Sequence, residues 1–132
     1  MNETNIKFLR PSGEIKNIKV TFPNEQPWFI ELSLDGVQTT KFEGSDLFDC
    51  LCALRSKMDA LGIKTLCNGA RMDAFPSPML QSSGARKVYI TEIGKQALRE
   101  NLVNIFEEAT VEKVGTVEEQ FEYHNKWIDS LG

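Results

Sequence analysis

The chain has 132 residues, of which 41% are apolar and 26% are charged, and its formal net charge is −4 at pH 7. This composition is typical of one globular domain, which we assign to residues 1–132, and it excludes a disordered or fibrous chain. No stretch reaches the roughly 18 apolar residues of a membrane span, and the N-terminus lacks the charged-then-apolar order of a secretion signal. We therefore expect a cytoplasmic protein that does not enter membranes.

Four short strands are predicted in the first third of the chain, because apolar and polar residues alternate there with a period of two. Pro11 and Gly13 place a turn between the first two strands, and Asp35-Gly36 is a turn signal between the last two. The predicted strands are 6–9, 14–22, 28–35 and 37–42. We expect them to form antiparallel hairpins of one sheet.

A helix over 45–61 is the most regular pattern in the sequence. Ser45 is a suitable N-cap, and Gly62 is suited to end the helix. The apolar residues recur at spacings of four and three, which predicts that the helix covers the apolar face of the sheet. Cys50 and Cys52 are expected to be small core or boundary residues of this helix. The apolar stripe consists of Leu47, Leu51, Leu54, Met58 and Leu61.

The second half contains further short strands and a closing helix. Strands are predicted over 63–66 and 87–93, and we expect these two to pair with each other around the loop between them. The segment 101–106 fits either a helix or a strand, and its β-branched residues favour the strand. Thr116 and Glu119 form a capping box that begins an amphipathic helix. The apolar face of that helix consists of Val117, Phe121, His124, Ile128 and Leu131, with Trp127 beside it.

The long loop between the two strands is a candidate ligand site, because polar side chains that bind carboxylates or phosphates are concentrated in it. An alternative is that Arg71 and Asp73 pair with each other and hold the loop in shape. The candidate ligand-binding residues are Cys67, Asn68, Arg71, Asp73 and Arg86. The apolar loop residues either pack on the body of the protein or form a patch for a partner; they are Met72, Phe75, Met79 and Leu80.

Other common site chemistries have little support in the sequence. His124 is the only histidine, so Cys67 and His124 are the only Cys/His pair available for a nucleophilic thiol. His124 lies among aromatic and aliphatic residues, which favours a packing role. We predict no metal site and no cofactor, because the sequence has no spaced set of His, Cys and Asp ligands and no glycine-rich nucleotide motif.

Acidic residues are concentrated at the C-terminal end. Residues 100–132 carry eight acids and two bases, whereas the other residues carry 11 acids and 13 bases. No basic face is therefore predicted for nucleic-acid binding. The acidic end suits a basic protein partner, and it also fits a solvated helix surface. The candidate partner-binding residues are Glu107, Glu108, Glu112, Glu118, Glu119, Glu122, Tyr123 and Trp127.

Four segments together resemble a widespread family of small uncharacterised bacterial proteins. They are 66–71 (LCNGAR), 87–89 (KVY), 102–106 (LVNIF) and 115–120 (GTVEEQ). The family's loop contains Ser-Gly-Met and a glycine-rich stretch, whereas this chain has Ser77-Pro78-Met79 and Ser83-Gly84-Ala85 there. In size, charge and fold class the chain is also similar to immunity proteins of contact-dependent growth inhibition systems, which neutralise toxins.

The sequence thus predicts an α+β fold in which an antiparallel sheet is covered by a central amphipathic helix, with a C-terminal helix packed beside it. We expect a binding protein rather than an enzyme. Its predicted role is that of an immunity or inhibitor protein that occludes a cognate basic toxin, such as a nuclease. The alternative is a small enzyme or ligand-binding protein that uses the loop from Cys67 to Arg86.

Overall fold

The computed structural model describes residues 1–34 and 38–132, which form an α+β fold of two antiparallel sheets and three α-helices around one core. The strands are β1 (Asn2–Leu9), β2 (Ile15–Phe22), β3 (Phe29–Leu34), β4 (Gln38–Glu43), β5 (Lys64–Leu66), β6 (Ala74–Phe75), β7 (Lys87–Ile90) and β8 (Leu102–Asn104). The helices are α1 (Leu47–Ala60), α2 (Pro78–Ser82) and α3 (Val117–Ser130).

The larger sheet has the strand order β4-β3-β2-β1-β5, and every neighbouring pair is antiparallel. The predicted turn between β1 and β2 is confirmed, because the Gly13 amide donates to the Arg10 carbonyl at 2.9 Å. The predicted turn at Asp35-Gly36 lies outside the described residues. Alternate side chains point to the inner face and form much of the core: Ile6, Phe8, Val20, Phe22, Ile30 and Leu32.

Helix α1 covers the inner face of this sheet, as its apolar stripe predicts, and Leu47, Leu51 and Leu54 are buried. The prediction that Ser45 is the N-cap is wrong by one residue. The Asp46 carboxylate accepts from the Asp49 amide at 2.7 Å, whereas the Ser45 amide donates to the Asp49 side chain. Asp46 is therefore the N-cap, a position that both Ser and Asp favour.

The predicted pairing of the strands at 63–66 and 87–93 is wrong. Strand β5 pairs with β1 and completes the larger sheet, with Lys7 opposite Leu66. Strand β7 lies instead between β6 and β8 in the smaller sheet. The two-residue strand β6 lies inside the predicted loop. This part of the chain therefore pairs with β7 and is not an irregular loop throughout. The strand predicted within 101–106 is confirmed as β8.

The remaining loop is ordered by close contacts with α1 and α3. Gly69 lies in a single turn of 3-10 helix, where an added Cβ would lie 2.4 Å from a methyl carbon of Leu51. Only glycine permits this approach of the backbone to α1. The capping box of α3 is confirmed, with Thr116 and Glu119 bonding each other's backbone amides. Within the described residues, we find no helix with the length and apolar character needed to cross a bilayer.

Candidate functional site

Helix α3 is anchored to the core by a single fully buried side chain, that of Gln120. Its amide nitrogen donates to the carbonyls of Gly69 and Arg71, at 2.9 Å each. Its amide oxygen accepts from the guanidinium of Arg55 on α1 at 2.7 Å. Arg55 also donates to the Gly115 carbonyl at 2.9 Å, and burial lowers the pKa of its guanidinium. This buried network joins α1, the 3-10 turn and α3.

Further along α3, side chains bind the backbone of the segment after β7. The Tyr123 hydroxyl donates to the Thr91 carbonyl at 3.3 Å, and the Trp127 indole nitrogen donates to the Lys95 carbonyl at 2.7 Å. Burial raises the pKa of the Tyr123 hydroxyl, so this group remains a donor. These bonds fix the segment against α3 without burying the helix deeply.

Aromatic rings from α3 and the loop form a continuous stack. The His124 ring lies parallel to the Phe75 ring with centroids 3.6 Å apart, and the Trp127 ring follows at 5.8 Å from His124. The Phe121 ring makes an edge-on contact with Phe75, with centroids 5.5 Å apart. Stacked and edge-on pairs at such distances contribute beyond their burial alone.

This stack borders a cavity of about 400 Å³, which we name the aromatic cleft. Its walls include Phe75, Tyr89, His124 and Trp127, with Gln81 on α2 as a polar wall residue. Burial lowers the pKa of His124, so its imidazole is neutral at pH 7. Its buried Nδ1 has no hydrogen-bond partner among the described residues. The cleft therefore presents apolar ring faces with few polar groups.

The apolar side chains predicted for α3 lie in one stripe, but a large part of that stripe faces solvent. Phe121 is 45% exposed, Ile128 is 50% exposed and Leu131 is 43% exposed. We name these three residues the α3 stripe. Met79 on α2 is also a large exposed apolar side chain, at 80%. Exposed apolar side chains grouped in this way are typical of interaction surfaces.

Two of the candidate acids, Glu118 and Glu122, lie one turn apart on the exposed side of α3. Glu119 is also on α3, but its carboxylate accepts from the Thr116 amide at 2.8 Å and belongs to the capping box. Glu112 lies in the segment before α3 and is exposed, and hydrogen bonds from its own amide and from Thr110 lower its pKa.

Glu107 and Glu108 lie at a different place, directly after β8. The Glu108 carboxylate is 2.8 Å from the ammonium of Lys7 on β1. The Glu107 carbonyl accepts from the Asn68 amide at 2.8 Å. The structure thus separates Glu107 and Glu108 from the acids on α3, with Glu112 in the segment before that helix, and Tyr123 and Trp127 lie on α3.

The candidate residues of the loop are engaged separately, and their contacts do not converge on a common ligand position. Arg71 and Asp73 form a two-bond ion pair with both nitrogen–oxygen distances at 2.8 Å, which is the pairing considered as an alternative. The side-chain amide nitrogen of Asn68 donates to the backbone carbonyl of Asn104 at 3.3 Å. The Arg86 guanidinium lies over the Phe22 ring, 4.9 Å from its centroid.

Cys67 is fully buried, and burial raises the pKa of its thiol to about 11. A thiol with this pKa is almost entirely protonated at neutral pH and is a poor nucleophile. No hydrogen bond joins Cys67 to His124 in the described part of the chain, and His124 is stacked on Phe75 instead. Residues 1–34 and 38–132 contain no group of three His, Cys, Asp or Glu residues that could hold a metal ion.

No protein-family model matches this chain, and no curated protein has a significantly similar sequence.

Sequence patterns missed the aromatic cleft and the buried network. Tyr89 and Gln81 come from separate elements, and no spacing rule brings them to the same cavity as Trp127. Arg55 and Gln120 each stand in a run of polar residues, Arg55-Ser56-Lys57 and Glu118-Glu119-Gln120, so the sequence does not distinguish them from their solvated neighbours. The sequence does identify the face of α3 that borders the cleft, through the helical spacing of Phe121, His124 and Ile128.

Proposed function

We propose that this protein is an inhibitor of the immunity type, which binds a basic bacterial toxin through the surface of α3 and occludes it. The observation that carries this proposal is the α3 stripe, a row of large apolar side chains left exposed beside acidic residues. The cores of protein interfaces are apolar and their rims are polar, which is the pattern of this helix.

The apolar part of the surface provides the anchoring contacts. Phe121 and Ile128 are one apolar row along α3, and the aromatic cleft opens between α3 and the loop beside them. Hot spots in interfaces are large side chains seated in pockets, surrounded by contacts that exclude water. A cleft of about 400 Å³ has room for an aromatic or aliphatic side chain of the toxin.

The charged part of the surface favours a cationic partner. The sequence of α3 contains four acids, namely Glu118, Glu119, Glu122 and Asp129, against the single base Lys126. Like-signed charges around an apolar patch accelerate the encounter with a partner of opposite charge and repel acidic proteins. Nuclease toxins suit this description, because a protein that binds nucleic acid needs a basic surface to neutralise phosphates.

The decisive experiment is co-expression of this protein with the product of the reading frame immediately upstream of its gene. Cell survival and co-purification of the two products are scored together. We expect the upstream product to be toxic alone, and harmless and stably bound when both are present. A toxic upstream product that is neither bound nor neutralised would refute its role as the cognate partner.

Paired variants then locate the surface. We expect the double reversal Glu118→Lys/Glu122→Lys to slow association by about tenfold or more, because it removes the steering charges. The matched control is Glu25→Lys/Glu100→Lys, which makes the same change in net charge at exposed positions that are not on α3. Equal losses in both double variants would refute a specific role for α3. Phe121→Ser/Ile128→Ser is expected to increase dissociation instead.

A second candidate function is binding of a small planar molecule in the aromatic cleft, which is supported by four ring-bearing walls and a volume within the range of ligand pockets. The test is a screen of aromatic fragments followed by the indole N–H signal of Trp127 in NMR spectra. Saturable shifts of this signal would support a ligand site. Shifts confined to other residues would exclude it.

A further inference from the structure

Another cavity lies at the C-terminal end of α1, between that end of the helix and the inner face of the larger sheet. It has a volume of about 300 Å³. Phe8 and Leu32 form its buried floor, each 2% exposed, and Leu61 stands at its rim, 59% exposed. Its lining includes Lys57 and Met58 from the last turn of α1, which ends at Ala60, and Ile63 from the segment that follows.

Lys16 occupies an unusual position in this cavity. It lies directly opposite Phe8 in the β1–β2 register and therefore shares the inner face of the sheet with Phe8, Ile18 and Val20. Inward-pointing charges are common on edge strands, where they prevent aggregation. Within the described residues β2 pairs with β3 only from Lys19 to Thr21, so Lys16 lies beyond this pairing, near the end of the β1–β2 hairpin, where it lines the cavity. Lys16 forms no ion pair within the described residues.

Two further bases stand at the same rim. Arg10 and Lys57 line the cavity with Lys16, and all three are exposed, whereas the described lining contains no acid. Arg10 has one carboxylate partner among the described residues, Glu14 at 3.0 Å, which is not in the lining. Lys57 lies in the last turn of α1, where it also offsets the negative end of the helix. The result is an apolar slot with a positive mouth.

We propose that this cavity binds an amphipathic carboxylate, a fatty acid of short or medium chain length, with its chain between α1 and the sheet and its head group at Lys16. The walls suit a flexible alkyl chain, because they are aliphatic and aromatic side chains with few polar atoms: Ile18, Phe42, Met58 and Ile63. The volume lies at the lower end of the range for ligand pockets, which favours a short chain. This site is separate from the α3 surface and independent of the inhibitor function.

The test is titration of the full chain with decanoate, followed by backbone amide signals in NMR spectra. Saturable shifts are expected at Ile18, Phe42, Met58 and Ile63. Decanol and decyltrimethylammonium have the same alkyl chain but no anionic group. We expect their affinity to be lower than that of decanoate by about tenfold or more, since the rim charges favour an anion. Equal binding of decanol, or shifts confined to other residues, would overturn the proposal.

Charge variants test the head-group position. Lys16→Glu/Lys57→Glu is expected to weaken decanoate binding by about tenfold or more, and Lys16→Gln/Lys57→Gln by a smaller factor. The matched control is Lys87→Glu/Lys113→Glu, which makes the same charge change at exposed lysines outside the cavity. Loss of binding to the same extent in the control would overturn a specific head-group site. The glutamine pair decides the result if the reversed pair does not fold.

Discussion

Arg55 of α1 donates to the side-chain oxygen of Gln120 of α3 at 2.7 Å, a bond between residues that are 65 positions apart in the chain. Both side chains are essentially inaccessible, with Arg55 at 1% and Gln120 at 0% exposure. A buried guanidinium without its acceptor retains the full cost of its lost hydration. The stability of α3 therefore depends on the pairing of these two groups.

We predict that Gln120→Leu lowers the free energy of unfolding by about 3 kcal/mol, because it removes the 2.7 Å acceptor of the buried Arg55 guanidinium and one of the donors to each of the carbonyls of Gly69 and Arg71. Urea denaturation measures the change. Asn125→Leu, at an exposed position of the same helix, serves as the control and should change stability by less than about 0.5 kcal/mol. Equal stability of the two variants would show that the network does not hold α3.

Gly84 is expected to be the least replaceable of the glycines with positive φ. Its φ is +104°, and an added Cβ would lie 2.7 Å from a ring carbon of Trp28. Gly94 has a φ of +83° but no neighbour within 4 Å of such a Cβ. Gly94→Ala should therefore lower the free energy of unfolding by about 1 kcal/mol, through backbone strain alone. Gly84→Ala should lower it by about 2 kcal/mol more, because the added methyl group also meets Trp28. Thermal unfolding of both variants gives the difference, and equal costs would contradict the role of Trp28.

His124 should make the protein less stable in acid. Burial lowers its pKa in the folded state, so the unfolded chain takes up a proton there at a higher pH than the folded chain does. This contribution to stability is present above the unfolded pKa of about 6.5 and is lost as the pH falls through the folded pKa. We predict that His124→Gln reduces the fall in unfolding free energy between about pH 7.5 and pH 5. An unchanged pH dependence would contradict this assignment.

The three thiols should react slowly in the native protein. Burial raises the pKa of Cys67 and Cys52 to about 11 and that of Cys50 to about 12. We predict that iodoacetamide at neutral pH modifies Cys52 first, because it is the least buried of the three, and reaches Cys67 only on unfolding. Mass spectrometry of peptides from native and denatured samples measures the order. Rapid native modification of Cys67 would favour the ligand-loop alternative.

Local periodicity predicted most elements of the fold correctly. The period-two patterns identified β1 to β3, and the spacing of Leu47, Leu51 and Leu54 identified both α1 and the face that it buries. These patterns depend on neighbours in the sequence. The pairing of β5 with β1 instead of β7 depends on contacts between distant segments, and the two-residue strand β6 is too short to leave a pattern.

The candidate site was predictable only in part, for a related reason. The apolar face of α3 that includes Phe121, His124 and Ile128 was visible in the sequence, but periodicity does not distinguish a face buried in the same chain from a face left open. The structure shows that Gln120, a polar residue outside the stripe, is the one that enters the core. Hydrogen bonding to Arg55 decided the orientation of α3, and no local signal encodes that partner.

Helix α3 is attached by one buried side chain and by hydrogen bonds to backbone carbonyls, so its attachment depends little on the side chains of the segments that it contacts. Carbonyl acceptors such as those of Thr91 and Lys95 are present whatever the side chains there become. Substitutions on the outer side of the helix therefore cost little stability. If α3 is the recognition surface, as we propose, its specificity can change residue by residue while the sheet and α1 keep the fold.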